Sequence, residues 1–210
     1  MDDFKRLDGL LAGAREVPAP ESSSGNDLPP EKISGVPVGR IMDTFESFDL
    51  KLNPGMKAAL ERCQKVGAGE EWCAFLTGGY GTGKTHLAIG AMHVFGMSRS
   101  YFWKVPDYLD WLKRMAFDQG HSLDDLTKSY RGTPFLLVLD DLGAENPTDW
   151  AHEQLYRVLD ARCDMKLPTI LTTNTTPDRI DGRIQSRYAE GLVVCKGADV
   201  RRTKRTGVSQ

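Results

Sequence analysis

Residues 78 to 85 read Gly78-Gly79-Tyr80-Gly81-Thr82-Gly83-Lys84-Thr85, glycines followed by a lysine and a threonine. The spacing fits G-x-x-x-x-G-K-[ST], in which the glycines let successive backbone N–H groups curl towards phosphate oxygens. A helix beginning at such a lysine adds the positive end of its dipole. Lys84 then reaches the β- and γ-phosphates of ATP, and the Thr85 hydroxyl serves a magnesium ion, Mg2+. All eight residues and the following His86 are counted as nucleotide-binding, and Lys84 also acts on the reacting phosphate.

A second acidic element lies downstream. Leu136-Leu137-Val138-Leu139-Asp140-Asp141 places two carboxylates at the end of an apolar run of strand length. Ligands of open α/β sheets gather at that edge. Asp140 is the expected magnesium ligand, and Asp141 the group that polarises the attacking water. Thr172-Thr173-Asn174 ends another apolar run, so Asn174 is placed to orient water beside the same phosphate.

These residues need a scaffold of alternating strands and helices, and the sequence supplies one. Strands are expected at 73 to 77, 100 to 104, 134 to 141, 168 to 174 and 191 to 195. Helices are expected from Lys84 to about Phe95, from Val105 to Phe117, from Ser122 to Tyr130, from Pro147 to Asp164 and around Arg183 to Ala189. The fold class is α/β: a three-layer P-loop nucleotide-binding fold with a central parallel sheet. Ahead of it, Phe4, Leu7, Leu10 and Leu11 recur at helical spacing, and Arg15 to Val38 is rich in Pro, Ser, Gly and Glu. Residues 1–38 therefore read as a short amphipathic helix and a flexible linker, 39–202 as the core, and 203–210 as a basic flexible tail.

Together, GGYGTGKTHLA, LLVLDDLGAE, ILTTN and RIQSRY resemble, in content and order, the AAA+ ATPases of the bacterial DnaC/DnaI helicase-loader and IstB type. The resemblance spans roughly Thr44 to Arg202. It implies an ATPase that assembles with copies of itself, Asn174 acting as sensor 1 and Arg187 as an arginine finger reaching a neighbouring subunit's ATP. Arg183 is a second choice for the finger. Arg201 is implied as the nucleotide-sensing arginine of the last segment, with Arg202 as a substitute. Phe45 and Phe48 are implied near the adenine, with an ordinary core role as the alternative. The implied activity is ATP-dependent loading of a replicative helicase onto single-stranded DNA. Alternatives are an IstB-like ATPase acting on duplex DNA for a transposase, and an adaptor that hydrolyses ATP slowly; a small-molecule kinase is disfavoured. The chain departs from the family in carrying Asp141 where Glu is common, with Glu145 as a possible helper, in a short N-terminal appendage, and in showing no separate lid domain.

Composition sets the outer bounds. The 210 residues carry a formal net charge of -2, so any DNA contact must be local. Lys104, Lys113, Arg114, Lys128 and Arg131 are candidates, as is the run Arg201-Arg202-Thr203-Lys204-Arg205. Cys63, Cys73, Cys163 and Cys195 form no CxxC pair, which suits a reducing cytoplasm. The N-terminal residues do not read as a secretory signal, and no stretch is apolar enough to span a membrane.

Overall fold

A computed structural model describes residues 32–199 except 34, 133, 147, 177 and 178. The expected amphipathic helix, most of the expected linker, Arg201, Arg202 and the expected basic tail lie outside the described residues. The chain divides after Pro30, and the described residues belong to the unit that starts at Glu31.

The first elements are a hairpin, β1 (Lys32–Ile33) and β2 (Val36–Pro37), followed by a 3-10 turn at Val38–Arg40. The sequence reading left these residues as the end of an extended linker. Gly35 makes the hairpin possible: its φ is 81°, and a Cβ there would sit 2.0 Å from the Phe102 carbonyl oxygen. Next come α1 (Lys57–Gly67), β3 (Cys73–Gly78), α2 (Lys84–Phe95), β4 (Ser100–Lys104) and α3 (Val105–Lys113). The remainder is α4 (Leu123–Gly132), β5 (Leu136–Asp140), α5 (Asp149–Asp164), β6 (Thr169–Thr173), α6 (Gly182–Arg187) and β7 (Leu192–Cys195).

Five strands form one parallel sheet in the order β4-β5-β6-β3-β7. Both faces are covered, so the strands are apolar at nearly every position rather than alternating. Phe75, Leu137, Leu139 and Leu171 face one layer, with Tyr108, Leu112, Leu155 and Leu159 of the helices. Ala74, Leu76, Leu136, Val138 and Ile170 face the other, with Ala59, Cys63, Val66, Leu87 and Ile89. Successive side chains point to opposite faces, which is why each strand feeds both layers.

Two helices depart from the expectation. The sequence reading missed α1, although its buried residues Ala59, Cys63 and Val66 recur at helical spacing; they are small or medium in size. The helix from Val105 was expected to run to Phe117, but α3 stops at Lys113 and Arg114–Asp118 widen into a π-helical turn. Met115 keeps to the core, whereas Phe117 is left 70% exposed.

Arg162 locks α5 to the N-terminal ends of β5 and β6. It is fully buried and donates to Thr169 Oγ1 at 3.0 Å and to the carbonyls of Tyr130, Phe135 and Pro168 at 2.7, 2.6 and 2.8 Å. Its guanidinium also lies over the Phe135 ring. Burial lowers its pKa to about 10. All four cysteines are buried free thiols, and burial pushes Cys73 up to about 12. Among the described residues no helix is long and apolar enough to cross a membrane.

Candidate functional site

The phosphate-binding pattern occupies the turn from β3 into α2, at the C-terminal edge of the sheet. Gly81 and Gly83 have φ of 70° and 104°, a region side chains strain to enter. Space enforces the same choice. A Cβ on Gly83 would fall 2.5 Å from the Phe48 ring, and one on Gly81 would fall 1.7 Å from Asp199 Oδ1. Tyr80 stands 70% exposed on the outside of the loop.

Lys84 is 5% exposed, so its ammonium must be paired. It donates to the carbonyls of Gly78 and Gly79, each at 2.8 Å, and to Asn174 Oδ1 at 2.8 Å. Those carbonyls and that amide mark a place for a cation held over a loop of N–H groups, the arrangement that receives a polyanion.

Adjacent strands supply the acids. Asp140 ends β5 at 1% exposure, and Thr85 Oγ1 donates to its Oδ1 at 2.8 Å. Thr172 Oγ1, from β6, donates to the same oxygen at 2.6 Å. Burial raises the Asp140 pKa, against the two hydroxyl bonds that lower it, and the neighbouring Asp141 charge raises it further. A buried carboxylate beside a hydroxyl on the phosphate loop is a donor set that suits a hard divalent cation, which would relieve that penalty. Asp141 is half-buried, with a φ of 60° that turns it out of the strand. Its Oδ1 accepts from Asn174 Nδ2 at 2.7 Å. Glu145 accepts from the Gly143 N–H at 2.8 Å and so braces the turn that follows.

Lys84, Asn174 and Asp141 form one hydrogen-bonded chain, and Thr172 joins it to the Thr85–Asp140 pair by bonding both Asp140 and the Asp141 N–H. His86 is placed differently from the glycines. Its Nε2 lies 2.8 Å from the Thr44 carbonyl and 3.1 Å from Ser47 Oγ, and its ring meets Phe48 edge-on. These contacts tie the segment before α1 to the first turn of α2. Phe45 packs on Gly90 of α2, and both phenylalanines join the core layer of α1 and α2.

Arg187 lies outside this network. Exposed at the end of α6, it faces Asp160 and Asp164 of α5 at 2.6 Å each. A hydrogen bond to Tyr156, then the two acids, hold its pKa above the usual arginine value. Arg183 pairs with Asp181 at 2.7 Å and covers the Tyr156 ring. The proposed DNA-binding cations are dispersed: Lys113 lies over Trp150, Arg131 pairs with Asp124, and Lys104 ends β4.

Two residues of the site escaped the sequence reading. Asn53, 2% exposed, donates from Nδ2 to the Thr82 carbonyl at 2.8 Å and to the Ala198 carbonyl at 3.4 Å. Thr172 was visible only as a neighbour of Asn174. No motif marks Asn53; the Asn-Pro pair at 53 and 54 signals a turn and nothing more.

A family model described as "IstB-like ATP binding protein" matches residues 37–186. The replicative helicase loader DnaI of Bacillus subtilis is 31% identical over 109 residues, covering 50% of this chain and 34% of that protein. Rv3427c of Mycobacterium tuberculosis, named as an ATP-binding protein in an insertion sequence, is 31% identical over 143 residues, covering 64% of this chain and 54% of that protein. The chain thus spans from about a third to about half of the curated relatives it matches. The crystal structure of the DnaC helicase loader superposes with a TM-score of 0.62 at 26% identity, covering 75% of this chain and 99% of that one.

Proposed function

The chain belongs to the family of IstB-like ATP binding proteins, AAA+ P-loop proteins, and from that premise we propose that it hydrolyses ATP to load a replicative helicase onto single-stranded DNA. The observation that carries the catalytic half is the continuous network from Lys84 through Asn174 to Asp141, with Thr85 and Asp140 beside it. The N–H groups of residues 79 to 85 cradle the phosphates, and Lys84 exchanges its carbonyl partners for phosphate oxygens. Thr85 and Asp140 would hold magnesium, which would supply neutralisation of the phosphate charge. Asp141 takes the proton of the attacking water, and Asn174 orients that water between Lys84 and Asp141. Arg187 leaves Asp160 and Asp164 to serve the site of a neighbouring copy, where a guanidinium stabilises charge on the transferred phosphoryl group. Arg201 and the 1–38 segment are proposed as nucleotide sensor and helicase-docking element.

The helicase client is supported by the likeness to DnaI and DnaC. A second reading, an ATPase acting on duplex DNA for a transposase, is favoured by the family match and by the longer alignment with Rv3427c. Fluorescence anisotropy of labelled single-stranded and duplex DNA of equal length, with ATP, ADP or no nucleotide at two salt concentrations, separates them. ATP-dependent preference for single strands supports helicase loading, and duplex preference supports the second reading. No binding under any condition overturns both in favour of an adaptor.

A further inference from the structure

We infer that Thr172 is a positioning residue that sets both acids of the β5 edge for a divalent cation and the hydrolytic water; the inference rests on the site being a magnesium-nucleotide site. The β5–β6 pairing runs Leu137↔Thr169, Val138↔Ile170 and Leu139↔Leu171. One step further along that register, Asp140 stands opposite Thr172. There the ladder gives way to side-chain bonds. Thr172 Oγ1 donates to Asp140 Oδ1 at 2.6 Å and accepts the Asp141 N–H at 3.1 Å. The Thr172 carbonyl accepts the Leu142 N–H at 2.8 Å. Three consecutive residues of the acidic turn are therefore held by one residue that is 1% exposed.

Only a hydroxyl both donates and accepts in this way. Its donated bond joins that of Thr85 on Oδ1 of Asp140, so the carboxylate is turned about that oxygen while Oδ2 takes part in neither bond. Its accepted bond holds the Asp141 backbone at a φ of 60°, the conformation that swings the Asp141 carboxylate towards Asn174. Thr173 adds a second tie by donating to the Leu142 carbonyl at 2.6 Å. Valine has the shape of threonine and neither bond; serine keeps both bonds and loses only the methyl group.

The test compares full-length wild type, Thr172→Val and Thr172→Ser. A fluorescent ATP analogue is bound in EDTA and then titrated with magnesium, and kcat and KM are measured separately. In Thr172→Val the magnesium midpoint rises about 10-fold or more, the usual effect of losing a hydrogen bond to a metal ligand, and kcat falls. Its affinity in EDTA stays at the wild-type value, and Thr172→Ser restores both quantities. A wild-type magnesium midpoint in Thr172→Val overturns the inference while leaving the site's reading intact. An equal shift in Thr172→Ser also overturns it, because the methyl packing is then responsible. Should Thr172→Val fail to fold, Thr172→Ser decides alone: a wild-type midpoint supports the inference and a shifted one overturns it. Magnesium-independent binding in the wild type defeats the reading of the site itself, and the inference with it.

Discussion

The Lys84 ammonium donates to Oδ1 of Asn174 at 2.8 Å, which ties the phosphate loop directly to the end of β6. The other end of the same amide donates to Asp141, so Asn174 measures the gap between the phosphate-binding cation and the proposed base. Replacing Asn174 with Ala leaves Lys84 and the loop N–H groups to bind nucleotide. The expected outcome is a fall in kcat of about 100-fold with the ATP dissociation constant within a few-fold of wild type. Single-turnover hydrolysis beside equilibrium binding checks it; equal losses in both would contradict the water-orienting role.

Asp141→Asn keeps the bond-forming shape and removes the proton acceptor. Hydrolysis drops by about 100-fold or more while ATP binding persists. Asp141→Glu restores the commoner family residue, and retention of activity in that variant shows that the site tolerates a longer carboxylate. Full activity in Asp141→Asn would move the base elsewhere, with Glu145, braced against the same turn, the next candidate.

Because Arg187 sits on α5 acids and outside the Lys84 network, its proposed partner is another copy's phosphate. Arg187→Ala and Asp141→Asn are each expected to be inactive alone. Mixed, they regain activity, since some interfaces then pair an intact arginine with an intact acid. Steady-state hydrolysis across mixing ratios reads this out, and a flat response at background excludes the finger in trans.

Asp181 caps α6, accepting from the Arg183 N–H at 2.9 Å, and its side-chain bond with Arg183 holds it below the usual carboxylate range. A carboxylate more acidic when folded contributes stability that is complete above about pH 4, its unfolded value, and is lost as pH falls through the depressed one. Asp181→Ala is therefore expected to cost about 1 kcal/mol near neutrality, mostly from the lost cap. The exposed ion pair adds little. Thermal melts of both proteins from pH 7 downwards should draw closer once the pH falls below about 4; a constant gap would deny the ionised carboxylate its part.

Arg162→Ala takes a buried donor from three carbonyls and one hydroxyl around the start of β5 and β6, leaving Pro168 the Leu137 N–H and Thr169 its bond to the Leu167 carbonyl. The expected loss is about 3 kcal/mol or more, with nucleotide affinity unchanged in whatever fraction folds. Urea unfolding with parallel nucleotide titration measures both.

What the sequence disclosed follows from how local each signal is. Glycine spacing, an apolar strand ending in Asp140-Asp141, and Thr-Thr-Asn are short-range patterns, and all three were readable without coordinates. Strands buried on both faces are continuous apolar runs, so β3 to β7 were also legible, β4 at its expected bounds and the others with ends shifted by at most two residues. Helix α1 was overlooked although Ala59, Cys63 and Val66 recur at helical spacing, because their small and medium side chains stand out less than the Leu and aromatic repeats of the other helices. Asn53 and Thr172 were illegible for another reason. Their importance lies in partners far along the chain, and an isolated Asn before Pro or a Thr in a strand carries no record of what it will touch. The packing of His86 on Thr44 and Ser47 was hidden in the same way.

The clasp made by Asn53 bears on the order in which the molecule takes shape. One amide holds Thr82, 29 residues away, and Ala198, 145 residues away. Closing the longer span costs more chain entropy, so that half of the clasp forms after nearby helices and turns. During synthesis the loop that receives phosphate is synthesised long before the segment that completes its support. Nascent chains stalled before Ala198 therefore carry every residue of the glycine-rich pattern without the finished clasp around it.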